Sequence, residues 1–162
     1  MSRPLTVLAL VWVPFLSIFV FASQGDTSAL HISAHLLALA LLVPAAVMVW
    51  RLRAAAPSGV RRWTLLLLSV TVPAAVVGHV GELGVAVARL AQDGWVNLDT
   101  HDVWEAGPHL WISNLTIPAM MLSMVATVVL VVATALSRRH DGSTSEGQAS
   151  QTSPAGQSRQ VG

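Results

Sequence analysis

Apolar residues fall in four long stretches, at 5–22, about 32–50, 63 to about 88, and 117–136, with short polar segments between them. Each is near or above the roughly 18–20 residues that a helix needs to cross about 30 Å of hydrocarbon. The first two contain no charged side chain, and the third is clean from Trp63 to Gly81 before it meets Glu82 near its far end. Runs apolar all round predict helices that are buried or lipid-facing, and this chain offers little polar material to bury them. The expected fold is therefore all-α: an integral membrane four-helix bundle over residues 1–136. A short outer interfacial helix is expected at about 102–114, and a disordered cytoplasmic tail at 137–162.

Prolines and caps refine that outline. Pro14, Pro44, Pro73 and Pro118 each lie in or at the start of one stretch, where a proline kinks a helix and frees a carbonyl one turn back. Thr116 two residues before Pro118 has the form of an N-cap with an early-turn proline, which predicts a break between residue 114 and the last span. Trp104 and Trp111 suit the outer interface of the segment before that break. The tail beyond Ser137 is rich in Ser, Gly, Gln and Thr and lacks apolar periodicity. The first stretch has a second reading, as a signal peptide with Val20-Phe21-Ala22 before its cleavage point. Its length, with Trp12 and Pro14 inside it, favours a retained helix.

Charge sets the expected orientation. Lysine is absent, and eight of the nine arginines lie at the N-terminus, in the 51–62 loop or in the tail, with Arg89 alone on the other side. The positive-inside rule then places both termini in the cytoplasm of a multi-pass protein of a cell membrane, in the manner of bacterial inner-membrane proteins. The formal balance is +6 inside and −5 outside, which gives the net +1 of the chain. Charged residues make up only 10% of the chain, mean hydropathy is +0.64 and cysteine is absent. Disulfides, thiolate metal sites, cysteine nucleophiles and iron–sulfur clusters are excluded together. No phosphate-binding loop or nucleophile elbow occurs. The arginines lack interleaved aromatics, so no nucleic-acid partner is expected; they match an anionic inner leaflet.

The candidate chemistry is a set of histidines on the outer side. Of six histidines only His140 falls in the tail; His31, His35, His79, His101 and His109 map to the outer half. At 1.5 Å per helical residue, His79 rises about 24 Å from Trp63, and His35 sits roughly 6 Å inward from His31. Histidines on two different spans thus reach about the same depth. His79 and Glu82, three apart, share a face, as do His31 and His35 at a spacing of four. His101, Glu105 and His109 follow at four-residue spacing. Polar side chains inside a bilayer are costly and face the bundle interior, which makes His35, His79 and Glu82 functional candidates.

Three readings follow from this cluster. In the first, His35 and His79, or one of them with His109, provide the axial nitrogens of a haem b. The small strip Gly78, Gly81 and Gly84 would receive the porphyrin edge, and Glu82 would accept a proton or support a ligand. The helix-borne histidines resemble those of small four-helix membrane b-type cytochromes, in architecture and placement only. That resemblance implies electron transfer, alone or within a larger membrane redox complex, and the chain departs from the two-haem pattern because no histidine lies in the inner half. In the second reading His31, His35, His79, Glu82, His101, Glu105 and His109 supply ligands for a non-haem divalent ion such as zinc, iron or copper. The His31/His35 spacing resembles one histidine box of membrane di-iron oxygenases, whose further boxes are missing here. HExxH is absent, so a zincin-type protease is unsupported. In the third reading the histidines bond between helices, no cofactor is held, and the chain is an accessory or structural subunit or a homo-oligomer in the lipid bilayer. Whether the chain is an enzyme is left open by these residues.

Overall fold

The computed structural model describes residues 3–23, 28–55, 59–95 and 107–151. They form four helices: α1 Arg3–Ser23, α2 Ser28–Ala54, α3 Val60–Asp93 and α4 Pro108–Gln151. Three are long and apolar enough to cross a membrane, over Ala29–Ala54, Val60–Gln92 and Pro108–Arg139. The described apolar part of α1, Arg3–Ile18, is shorter.

The helices close a ring, in which α1 packs on α2, α2 on α3, α3 on α4 and α4 back on α1. Neighbours run antiparallel. His35 near the start of α2 meets His79 late in α3, while Arg53 at the end of α2 donates to Ser69 early in α3. Glu82 meets Ser113 at one level of the α3/α4 pair, and Thr71 meets Ser123 lower down. This is the neighbour order of an up-and-down bundle, which short connections favour. Gly94 ends α3 with φ +74°, and its N–H bonds Leu90 O at 3.0 Å. A side chain would strain that left-handed position, so glycine suits it.

The core fills the half of the bundle away from the histidines. Val7 and Val11 of α1, Leu42 and Val49 of α2, Leu68 and Val72 of α3, and Leu130 of α4 are fully or almost fully buried. Three hydroxyls are threaded through it. Ser123 donates to Thr71 Oγ1 at 2.8 Å, and Trp12 Nε1 donates to Thr127 Oγ1 at 3.2 Å, which gives that tryptophan an interior role instead of a place in an interfacial belt. The outer surface is apolar: Val70 is 66% exposed, Val77 64% and Val125 64%. Exposed valines in this number are what a lipid-facing surface carries and what a water-facing one avoids.

Two expectations are corrected here. The break at Thr116 does not occur: α4 runs unbroken from Pro108 through Pro118, so no separate helix ends at residue 114. Thr116 donates its hydroxyl back to Ile112 O at 2.8 Å and does not cap a new helix. Pro118 removes a single ladder N–H, a loss that a helix held on both sides by packing tolerates. Residues 102–106 lie outside the described residues. The second difference is at the other end, where α4 continues to Gln151, past residue 137 where the tail was expected to begin. A helix already nucleated adds one hydrogen bond per residue fixed, and residues 138–151 contain no proline to stop it. Helices α2 and α3 also extend beyond the expected 32–50 and 63–88, by three to five residues at each end.

Candidate metal centre

The first turns of α2 carry His31 and His35 on one face, because four residues bring side chains one above the other. Their rings meet edge to face at a centroid distance of 4.7 Å, with Nε2 to Nε2 at 3.1 Å. Antiparallel packing sets the second half of α3 beside them. His35 Nδ1 lies 2.9 Å from Nδ1 of His79, so the three imidazoles form a chain from His31 through His35 to His79. Each link needs one protonated and one bare nitrogen, so the tautomers along it are coupled.

The start of α4 completes the cluster. His109 and Ser113, again four apart, face Glu82 of α3. Glu82 is only 2% exposed, and a buried carboxylate is tolerated when its oxygens are paired. Ser113 donates to Glu82 Oε1 at 2.7 Å, and His109 Nδ1 pairs with Oε2. Ser113 Oγ also lies 3.4 Å from Nε2 of His109, whose ring is 5.8 Å from that of His31. All three helices thus contribute to one polar site at one end of the bundle. His79 Nε2 is buried and has no hydrogen-bond partner among the described residues.

One subset has ligand geometry. His31, His35 and Glu82 each present a ligand atom, and these atoms lie within 4.8 Å of one another. Two imidazoles and a carboxylate form a donor set that zinc accepts in catalytic sites and iron(II) in facial triads. Glu82 retains lone pairs after its bonds to Ser113 and His109, since each carboxylate oxygen carries two. With Glu82 as a ligand, His109 and Ser113 would be the outer partners that orient its carboxylate.

The same packing leaves no slot for a porphyrin between His35 and His79. Two nitrogens bound on opposite sides of one iron lie roughly 4 Å apart, at about 2.0 Å each as in other metal–imidazole bonds, whereas the facing nitrogens of the two rings are 2.9 Å apart. The glycine strip expected to receive its edge is otherwise occupied. A Cβ on Gly78 would lie 2.0 Å from Thr116 Oγ1, and one on Gly81 would lie 3.2 Å from Ile112 Cδ1, so α4 itself fills that face. Gly84 meets nothing within 4 Å.

Of the residues singled out from sequence, the structure gathers His31, His35, His79, Glu82 and His109. His101 and Glu105 lie outside the described residues. Ser113 was missed, although its four-residue spacing from His109 is the same signal that links His31 to His35; the expected break at Thr116 hid it. No protein-family model, curated protein or solved structure gives a significant match to this chain.

Proposed function

We propose that the protein is a multi-pass membrane protein that binds a divalent transition metal through His31, His35 and Glu82. His79 is positioned behind His35, and His109 with Ser113 behind Glu82. The observation that carries this reading is the convergence of two imidazoles and a carboxylate from α2 and α3 within 4.8 Å, inside an otherwise apolar bundle. The unpartnered Nε2 of His79 supports it further, since a buried ring nitrogen without a partner is costly unless something unseen satisfies it. The arginine asymmetry favours cytoplasmic termini, which puts the centre toward the outer leaflet, where the acidic outer segments raise the local concentration of cations.

When bound, the ion would supply Lewis acidity at a site with a buried carboxylate and two half-buried imidazoles. The chain's own residues fix its place: His31 and His35 present nitrogens from one helical face, and Ser113 and His109 hold the carboxylate of Glu82. The test is elemental analysis and visible spectroscopy of detergent-purified protein, with calorimetric titration of zinc into the stripped form. About one ion per chain is expected, lost in His35→Ala and Glu82→Gln and kept in Arg139→Gln. A Soret band that disappears in His35→Ala would establish haem in its place, and a protein that neither retains nor takes up an ion would be a cofactor-free subunit.

A further inference from the structure

At the end of the bundle opposite the histidines, α3 and α4 part to leave a groove of about 640 Å³. Its walls are almost wholly apolar: Val60 on α3, and Val128, Val132 and Leu136 on α4. The α4 wall from Val128 to Ser137 is about 13 Å long at 1.5 Å per residue. Arg61 stands in the same lining, beside Val60 at the start of α3. Its guanidinium Nε is buried and has no hydrogen-bond partner among the described residues. Ser137 lines the same end, but its hydroxyl is committed to Ala133 O at 2.9 Å, so the donor there is Arg61. Arg53, at the end of α2, is already engaged with Ser69 and with the Trp50 ring.

An apolar trough ending at an unpaired guanidinium has the chemistry of a phospholipid, with acyl chain along the valines and phosphate at the arginine. We propose that this groove is a binding site for one anionic phospholipid of the cytoplasmic leaflet, with Arg61 contacting its phosphate. Charge selects the occupant. Arg61, Arg62, Arg138 and Arg139 all belong to this end of the bundle, and arginines next to a membrane surface favour anionic over zwitterionic lipids. The planar fork of arginine suits phosphate oxygens, and a lone Nε–H in an apolar wall is satisfied by such an acceptor. The inference rests on the membrane half of the proposed function and is independent of the metal centre.

The full chain is reconstituted into bicelles of equal phosphatidylglycerol and phosphatidylcholine, extracted, and weighed by native mass spectrometry to count retained lipids. The wild type is expected to retain phosphatidylglycerol preferentially. Arg61→Gln should reduce that preference roughly tenfold, the ratio that one charge-assisted contact gives. Arg89→Gln, towards the opposite end of α3 from the groove, should leave the preference in place. Val132→Trp, which fills the trough, should remove both lipids while helical content by circular dichroism is unchanged. Equal retention of the two lipids by the wild type, or a preference indifferent to Arg61→Gln, would overturn the proposal. So would a second copy of the chain retained in the groove. A chain that fails to float with liposomes would instead sink the membrane reading, which keeps the two failures apart.

Discussion

Gly78 shows how a single residue sets local geometry. Any Cβ there would collide with the hydroxyl and Cβ of Thr116, a β-branched side chain with little freedom to turn away. Gly78→Ala is expected to destabilise the bundle by about 1–3 kcal/mol, the range for overpacking. Gly84→Ala, with nothing within 4 Å, should be neutral or stabilise by roughly 0.5–1 kcal/mol through helix propensity alone. Denaturant titration of the two variants side by side checks the contrast, and equal effects would contradict the close approach. Ser113 gives a second residue-scale prediction. Ser113→Ala removes the donor to Glu82 Oε1 and leaves a buried carboxylate oxygen short of a partner. A loss of about 1–3 kcal/mol is expected, larger than for Ser137→Ala, whose hydroxyl bonds only its own exposed turn.

Along the elements, the positions of the helices were legible because apolar runs of this length permit little else. His35 and His79 could be paired from sequence by counting rise from Trp63, since both helices are regular over the counted stretch. Glu82 was placed beside His79 by its spacing of three. The start of α4 was misread because Thr-x-Pro has the local signature of a cap, and the competing use of the threonine hydroxyl, back-bonding to Ile112 O, leaves no mark in the sequence. The misreading then cost Ser113 and the pairing of His109 with Glu82. The glycines were read as receiving a porphyrin edge, but Thr116 and Ile112 of α4 lie against Gly78 and Gly81, a distinction that composition cannot make. At this scale the bond from Trp12 to Thr127 is a polar side-chain tie between α1 and α4. A double-mutant cycle of Trp12→Phe and Thr127→Val should give a coupling of about 0.6 kcal/mol, the usual size for an interhelical bond in a bilayer. No measurable coupling would mean that this bond adds nothing to the packing of α1 on α4.

For the whole molecule, the two ends of the bundle differ in kind: a histidine–carboxylate centre at one, arginines and an apolar groove at the other. The chain lacks cysteine, so a single introduced thiol reports its own side of the membrane without background. Gln92→Cys, near the end of α3 beyond Glu82, should react with a membrane-impermeant maleimide added to intact cells, and Arg139→Cys only after lysis. The reverse pattern would invert the orientation and place the centre at the cytoplasmic face. Metal should also stabilise the fold as a ligand of the native state, by about 2.7 kcal/mol at a free concentration one hundred times Kd. A chelator is expected to lower Tm in the wild type and to leave His35→Ala unmoved, which thermal unfolding in detergent reads directly.

The tight meeting of residues 78 and 116 has a consequence one helical turn away. Glu82 stands four residues beyond Gly78 on the same helix, so the contact works as a gauge block that holds the carboxylate at a set distance from α4. Widening that gap by a methyl group, with every donor atom intact, would draw Ser113 and His109 away from the carboxylate they hold, while His31 and His35 stay where α2 puts them. The grip on an ion would then depend on the spacing of α3 and α4 as much as on the side chains that touch it.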